Sequence, residues 1–453
     1  MNSSKRSPVR YRFRDNALIP TPRLLLSVAL GAVVTLAASP AGLEGQAAGI
    51  FYGALATLLA GEGFTLLRYG RLDLSRESAA FFELGEDNEV TLRVSHPAPY
   101  AVRCVLRDDF PKGFQVDVRD LILHLAPGEK GVARYRARPH RRGRHTFDRI
   151  HARVTGRFGL LMRQQAREAG EEKRVYPRLK EVRKVRGGIY RKQLLSEGPH
   201  TRRGLGRGSE FSHIRDYVPG DEPRMINWNA TARMNKLATN VYQPEQGQHV
   251  AVLIDCGRVM GVKDGELSRL DRAVEAALAF AAIALERGDQ VSLLAFSSRV
   301  LRWVPPGKGG VQLQRLVEAV HDLEPEYVES GYRTVVETLA FRQKRRALVA
   351  LFTDTGNLTF ADELVEQLAV LRRRHLVMTV TTEDPLLERE RSLYPRVEKD
   401  VHRKTVAQRI SDDRSERLRN LKRRGVVTLD VPPGQLAPSV IHQYIEIKNR
   451  ALL

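Results

Sequence analysis

Two long apolar runs near the amino terminus constrain this chain more than any other feature. Residues 24–43 are twenty consecutive uncharged residues, and residues 45–61 are another seventeen, with only Glu44 between them. A helix needs about 20 predominantly apolar residues to cross the hydrocarbon of a bilayer, with a usable range of about 17–25. The pattern predicts a transmembrane hairpin over residues 24–67, in which small residues such as Gly31 and Gly53 let the helices approach closely.

The charges that flank these runs indicate an orientation. Residues 1–23 form a basic tail and further arginines follow the second run, whereas the connecting loop has no positive charge. Because Lys and Arg concentrate on the cytoplasmic side, we expect a two-pass protein of the inner membrane with both termini in the cytoplasm. A cleaved signal peptide is the alternative, since a basic tail precedes an apolar run that ends in small residues. The second apolar run argues against it.

The whole chain is basic, with a formal net charge of +21 over 453 residues. Such a balance favours an anionic partner, which can be a phospholipid surface, nucleic acid or an acidic protein. Inner-membrane lipids are the expected partner, and nucleic acid is not favoured. The two cysteines, Cys104 and Cys256, are too few for a disulfide scaffold, which indicates reduced thiols.

Residues 72–176 carry short alternating stretches separated by Pro and Gly, as at Pro127-Gly128. Several short strands with regular turns predict a β-sandwich-like domain, with Cys104 pointing into its core. A basic cluster near its end has two interpretations, a solvated turn or a contact with lipid headgroups. That cluster consists of Arg141, Arg142, Arg144 and His145.

Residues 246–453 alternate between apolar strands and helical segments, which predicts a parallel sheet covered by helices. The predicted strands are Val250–Ile254, Val291–Phe296, Ala347–Phe352, His375–Val380 and Val426–Val431. Asp255 and Asp354 follow two of these strands, at the sheet edge where sites form in such folds. Two carboxylates there can hold a hard cation such as Mg²⁺, or each can cap a turn or a helix.

Between the two regions lies a segment with an ordered set of charged, aromatic and turn residues. Its members are Glu210, Phe211, Arg215, Asp216, Tyr217, Pro219, Gly220, Asp221, Arg224, Trp228 and Arg233. Their order resembles the signature of the bacterial "domain of unknown function 58" family. The surrounding organisation is similar as well, with two membrane helices, a β-rich domain and an α/β domain. One departure is Asn227, where the family usually has Asp.

The resemblance implies a von Willebrand factor A-like, Rossmann-type α/β domain with a degenerate metal site. The usual pattern is Asp-x-Ser-x-Ser after the first strand, whereas this chain has Asp255 followed by Cys256 and Gly257. Asp354 matches the later aspartate, and either Thr334 or Ser330 matches the loop hydroxyl. Mg²⁺ is therefore a possible cofactor with an incomplete set of ligands. The resemblance also implies a partner, a AAA+ ATPase of the MoxR type, and protein clients that the sequence does not name.

Two roles are open for the signature segment, which we place with a linker in residues 177–245. Its alternating charges can form an internal ion-pair network with Trp228 as the apolar anchor, or its Arg and Trp side chains can form a recognition surface. Upstream, a flexible basic stretch suits a linker or a grip on phosphates. That stretch contains Arg202, Arg203 and Arg207 with Gly204, Gly206 and Gly208.

No catalytic set stands out in the sequence. The glycines around Lys308 lack the spacing of a P-loop, and Cys256 is expected to be a structural thiol. Three hypotheses follow: a non-enzymatic membrane-anchored adaptor or assembly factor, an anionic-lipid or nucleic-acid binder, and a metal-dependent hydrolase using Asp255 and Asp354. The sequence favours the first.

Overall fold

The computed structural model describes residues 17–187, 210–243, 247–354, 361–450 and 452. The chain divides into two compact units, Met1–Val175 and Tyr176–Leu453. Each unit has its own sheets and its own buried core.

The first unit begins with a helical hairpin made of α1 (Pro22–Ala38) and α2 (Glu44–Tyr69), joined by a 3₁₀ turn at Ser39–Ala41. Both helices are long and apolar enough to cross a membrane, and most of their side chains are exposed. A Cβ at Gly31 would lie 2.6 Å from the ring of Phe51, whereas Gly53 faces open space. Only the first of these two glycines therefore makes the close approach that the sequence predicted.

The second helix runs well past the uncharged stretch from which the span was predicted, because Glu62 is accommodated inside it. The segment before the hairpin also differs from the prediction of a plain basic tail over residues 1–23. Strand β1 (Leu18–Pro20) pairs with residues 161–163 of the β domain. A strand of three residues has no periodicity that a sequence pattern can reveal.

Two antiparallel sheets follow the hairpin and share one core. The first has the order β1-β10-β9-β5-β7, with β3 beside β10, and the second has the order β2-β4-β8-β6. The strands are β2 (Asp73–Ser78), β3 (Phe81–Glu83), β4 (Asn88–Ser95), β5 (Val102–Asp108), β6 (Phe114–Val116), β7 (Leu121–Leu125), β8 (Lys130–Pro139), β9 (Gly143–Thr155) and β10 (Leu161–Tyr176).

Alternate residues of these strands point into the space between the two sheets. The side chains of Leu92 and Val154, one from each sheet, are fully buried there, and Asp108 links the sheets by contacts with Arg76 and Tyr135. Cys104 lies in this core as predicted, and burial raises the pKa of its thiol to about 12. It is therefore an inert thiol.

The basic cluster at residues 141–145 lies at the end of β9 that is remote from the hairpin, which favours the solvated-turn interpretation over a lipid contact close to the hairpin. It sits at the start of β9, whose other end, Thr155, leads into the loop that contacts α2. Twelve residue steps at about 3.3 Å each separate the two ends by about 40 Å. Arg142 is also buried in the domain rather than offered to a partner.

The second unit is built on a six-stranded sheet with the order β17-β16-β13-β18-β19-β20. In chain order this is 3-2-1-4-5-6, the order of doubly wound α/β sheets. All neighbours pair in parallel except β16 and β17. The strands are β13 (His249–Asp255), β16 (Gln290–Phe296), β17 (Val300–Gly307), β18 (Ala347–Phe352), β19 (Leu376–Thr382) and β20 (Val427–Val431).

Helices cover both faces of this sheet. The helices of the unit are α3 (Lys180–Arg186), α4 (Trp228–Met234), α5 (Arg269–Glu286), α6 (Gly309–Val320), α7 (Tyr332–Arg342), α8 (Ala361–Arg372), α9 (Pro385–Ser392), α10 (Glu398–Arg423) and α11 (Leu436–Asn449). Two cores result, one around α5 and α11 and the other around α7 and α8. Val182 and Val185 of α3 lie in the first core, so residues 180–186 pack on this unit instead of forming the linker that the sequence predicted.

The signature segment forms a small hairpin of its own. Strands β11 (Glu210–Asp216) and β12 (Ala238–Gln243) pair antiparallel, with a 3₁₀ turn at Pro223–Met225 and helix α4 between them. The remaining strands, β14 (Lys263–Asp264) and β15 (Leu267–Ser268), form a short hairpin before α5.

Candidate functional site

The carboxylate of Asp255 lies at the carboxyl end of the first strand of the α/β sheet and is 3% exposed. Its Oδ1 accepts hydrogen bonds from the Ser330 hydroxyl at 2.6 Å and the Gly257 N–H at 2.8 Å. Its Oδ2 accepts from the hydroxyls of Thr353 at 2.6 Å and Tyr332 at 3.2 Å. Four donors therefore surround a carboxylate that β13 delivers to the edge of the sheet.

Ser330 occupies space that a side chain at residue 257 would need. A Cβ built on Gly257 would lie 2.1 Å from the Ser330 Oγ, so no side chain fits there while Ser330 keeps its position. The two serines of the expected pattern are missing from the loop after β13, and a hydroxyl from a distant loop contacts Asp255 instead. Thr334, the other candidate for this hydroxyl, is exposed on α7.

Burial dominates the electrostatics of this cluster. It raises the pKa of Asp255, while the hydrogen bonds from Ser330 and Thr353 act in the opposite direction. Burial and the nearby Asp255 carboxylate also raise the pKa of Tyr332 well above its ordinary value, so its hydroxyl stays protonated as a donor.

We expect the stability of the folded chain to depend on pH through Asp255. The pKa of Asp255 in the folded chain lies above its ordinary value of 3.8, so the folded state binds the proton more tightly than the unfolded state does. This contribution to the free energy of unfolding is fully present below pH 3.8 and is lost as the pH rises through the folded-state pKa. Asp255→Asn removes this dependence. The melting temperature of the wild type minus that of Asp255→Asn should therefore fall from pH 4 upward, and a difference that rises with pH would contradict the assignment.

Asp354, the second predicted metal ligand, is held by two arginines instead. Its Oδ1 accepts from Arg414 Nη1 at 3.0 Å, and its Oδ2 pairs with Arg269 Nη1. Arg269 also reaches Asp384 at 2.6 Å, and Arg414 reaches Asp430 at 2.5 Å. Three strand-end acids and two guanidinium groups thus form one ion network, in which the Asp354 side chain is 1% exposed.

The local sequence explains how these partners meet. Arg269 is the first residue of α5, fixed by a capping box between Ser268 and Asp271. Arg414 lies in the middle of α10 and also donates to the Thr382 carbonyl at the end of β19. Because parallel strands end at one edge of the sheet, their acids face the same two guanidinium groups.

These side chains fit a divalent cation poorly. The oxygens of Asp255 already accept from four donors, and those of Asp354 face positive charges that a cation would have to displace. Within the described ranges, no group of three or more His, Cys, Asp or Glu side chains is arranged to hold a metal ion. The predicted set of Asp255, Asp354 and Thr334 is therefore not brought together as a ligand set.

The signature hairpin is a second candidate, and its turn is formed as predicted. The Asp221 N–H donates to the Val218 carbonyl at 3.0 Å, and Gly220 has a φ of 110°, which suits Pro-Gly at the centre of a type II turn. Arg215 holds the Asp221 carboxylate at 2.7 Å, and this contact lowers the pKa of Asp221. One ion pair therefore fastens the turn to its own strand.

Asn227 caps the short helix α4. Its side-chain oxygen accepts from the Ala230 N–H at 2.9 Å, and its amide nitrogen donates to the Asn240 side chain at 2.9 Å. The residue that departs from the family pattern thus keeps the cap that an Asp would supply and adds a donor toward β12.

Trp228 is 67% exposed, so it is not the buried anchor of the first interpretation of this segment. Apolar side chains of Val218, Met234 and Leu237 are exposed on the same hairpin. Asp216, Tyr217, Pro219, Arg224 and Arg233 belong to it too, and Arg224 pairs with Glu222 at 3.1 Å. The side chains of Glu210 and Phe211, and the basic stretch at residues 202–207, lie outside the described part of the chain.

The family model for "Protein of unknown function DUF58" matches residues 213–421, from the signature hairpin into α10. This match covers just under half of the chain, and over these residues the chain is similar to that family.

Two curated relatives are uncharacterised proteins of Mycobacterium bovis and Mycobacterium tuberculosis. Each is 21% identical over 183 residues, which is 40% of this chain and 56% of the relative. The chain thus spans about half the length of the curated relatives it matches.

Three solved structures are similar to parts of the chain. The conserved hypothetical protein BatB from Bacteroides thetaiotaomicron is 15% identical and covers 44% of this chain and 98% of its own, with a TM-score of 0.29. A proximal thread matrix protein of the mussel byssus is 8% identical over 45% and 46%, with a TM-score of 0.27. A PapD-like domain of human CEP192 is 12% identical over 24% and 86%, with a TM-score of 0.19. At these TM-scores none establishes a shared fold.

Sequence reasoning found Asp255 and Asp354 but missed the residues that surround them. The sequence offers Ser330 as an alternative to Thr334. It gives no signal for Arg269, Asp384, Arg414 and Asp430, because helices and strands bring them together over separations of up to 115 residues. Only the positions of the three acids at strand ends could have indicated that they share an edge.

Proposed function

We propose that this chain is a non-enzymatic adaptor or assembly factor, anchored in the inner membrane by its hairpin with both termini in the cytoplasm. It presents a von Willebrand factor A-like domain in which an internal ion network stands where such domains hold a metal. The partner of the proposal is a AAA+ ATPase of the MoxR type, as the family resemblance implies.

The observation that carries this proposal is the pairing of Asp354 with Arg269 and Arg414. A carboxylate that is 1% exposed and bound on both oxygens is not free to hold a metal or move a proton. The strand order of the sheet and the hydroxyls around Asp255 support the von Willebrand factor A-like assignment. The chemistry at this edge is therefore that of a fixed structure, which favours binding over catalysis.

The signature hairpin is the surface that we assign to the partner. Exposed tryptophan and arginine are the side chains that dominate binding energy when a partner covers them. Trp228 and Met234 are the first and last residues of α4 and both are exposed, as is Arg224 in the preceding 3₁₀ turn. A mostly exposed tryptophan contributes little to folding, so its role in binding can be tested without loss of the fold.

We expect Trp228→Ala to weaken binding of the purified MoxR-type ATPase from the same genome by about 30-fold, equivalent to about 2 kcal/mol at a hot spot. The full chain in detergent would be titrated with the ATPase in the ATP, ADP and nucleotide-free states. Tyr327→Ala is the matched control, because Tyr327 is 91% exposed and lies outside the signature hairpin. Absence of wild-type binding in every nucleotide state would reject the proposal, and equal loss in both variants would reject the assignment to Trp228.

A further inference from the structure

A loop of the β domain is fixed to the base of the hairpin by one buried carboxylate. Glu62 of α2 is 1% exposed. Its Oε1 accepts from the N–H groups of Phe158 at 2.9 Å and Gly159 at 2.8 Å, and its Oε2 accepts from those of Leu160 at 3.0 Å and Leu161 at 2.9 Å. Four consecutive backbone donors of the loop thus converge on a single side chain.

The same loop is tied to the start of the other helix and to the end of α2. The Thr21 N–H, just before α1, donates to the Leu160 carbonyl at 2.9 Å. On the far side of the loop, Arg163 Nη1 donates to the carbonyls of Leu66 at 2.8 Å and Leu67 at 3.0 Å. Residues 156–161 therefore have a fixed position relative to both apolar helices.

The length of α2 gives the depth of this junction. From Glu44 to Glu62 the helix climbs 18 residues, or about 27 Å at 1.5 Å per residue. The hydrocarbon of a bilayer is about 30 Å thick, so Glu62 lies close to its boundary when Glu44 lies at the other one. The loop around Glu62 then lies at the level of the lipid headgroups.

The side chains exposed at this junction are of the kinds found at the level of the lipid headgroups. Phe158 at the tip of the loop is 52% exposed, and Tyr69 and Tyr100 stack edge to face beside the end of α2. Four arginines are exposed around the base of the hairpin: Arg23, Arg68, Arg71 and Arg157. Within the part of the chain that the structure describes, none of these four is ion-paired with an acid.

We infer that Phe158 and these four arginines form a lipid-binding surface, which seats the β domain on a bilayer face rich in anionic phospholipid. This inference rests on the membrane anchoring proposed above. Aromatic rings are favoured at the headgroup level, and each arginine near an anionic surface contributes about 1 kcal/mol of attraction. Glu62 acts as a positioning residue, since it sets the loop at that depth without touching lipid headgroups itself.

The test places an environment-sensitive NBD fluorophore at residue 158 of the full chain reconstituted in vesicles. Cys104 and Cys256 are buried, so Phe158→Cys offers the accessible thiol for labelling. Val118→Cys is the matched control, because Val118 is exposed in the turn between β6 and β7, away from the hairpin. Lipids carrying a doxyl quencher near the headgroup should quench the probe at 158 at least about threefold more than the probe at 118.

The lipid class is tested with the four arginines. In vesicles that contain anionic phosphatidylglycerol, the probe at 158 should report a more buried environment than in pure phosphatidylcholine. Replacement of Arg23, Arg68, Arg71 and Arg157 by Gln should remove that difference. Equal quenching at 158 and 118, no response to lipid charge, or the same response with free inorganic phosphate would each overturn the inference. Resistance to carbonate extraction, measured on the same vesicles, shows separately whether the anchoring still holds.

Discussion

Glu62→Ala is expected to detach the β-domain loop from the hairpin and to destabilise the first unit by about 2–6 kcal/mol. The substitution leaves the Gly159 and Leu160 N–H groups, whose hydrogen bonds to Glu62 are buried, without an acceptor. Each unsatisfied buried donor costs roughly 1–3 kcal/mol. At roughly 2–4 °C per kcal/mol for a unit of this size, the melting temperature of the detergent-solubilised chain should fall by several degrees.

The same variant should open the loop to protease. Arg157 precedes the four anchored N–H groups, so trypsin should cleave after it faster in Glu62→Ala than in the wild type. Glu62→Gln preserves the volume but turns an amide N–H₂ toward two of the donors, so it should lose stability as well. Glu44→Ala is the control, because Glu44 is exposed in the first turn of the same helix. A neutral Glu62→Gln would show that packing, rather than acceptor chemistry, explains the effect.

The sheet of the second unit could be predicted from the sequence because its strands are continuous apolar runs. All five predicted strands are present within two residues of the expected ends. The missed sixth strand, β17, is an antiparallel edge strand that contains Pro305 and Pro306. Proline has no N–H to donate to the hydrogen-bond ladder, but an edge strand tolerates it. The two prolines argue against a strand in the sequence, although the segment forms an edge strand in the structure.

The polar contacts of Glu62 and Asp354 could not be predicted, because their partners are distant in the sequence. Glu62 ended the uncharged run from which the second helix was predicted, and an unpaired carboxylate is costly beside hydrocarbon. Its partners are the backbone N–H groups of residues 96–99 positions later, which carry no side-chain signature. The same holds for Asp354, whose position at a strand end suggested a cation, while the charges that neutralise it come from α5 and α10.

Arg414→Ala should therefore strongly destabilise the second unit, with a loss of about 3–5 kcal/mol. The substitution leaves Asp354 with one arginine partner and removes the guanidinium group that pairs with Asp430. Removing one partner of a buried ion pair lowers the stability by about 3–5 kcal/mol, because the other charge stays buried without compensation. Arg302→Ala is the control, since the exposed pair of Arg302 with Asp322 contributes about 0–1 kcal/mol. The measurement is the melting temperature of the full chain.

The effect of Mg²⁺ on the melting temperature distinguishes an ion network at Asp354 from a metal site. If the two guanidinium groups stand in the place of a cation, an excess of Mg²⁺ should leave the wild-type melting temperature unchanged. With both guanidinium groups removed in Arg269→Ala/Arg414→Ala, the uncompensated acids should gain stability from Mg²⁺, since hard cations prefer carboxylate oxygens. Stabilisation of the wild type by Mg²⁺ that Asp354→Asn abolishes would instead make Asp354 a metal ligand, and it would remove the observation on which the non-enzymatic proposal rests.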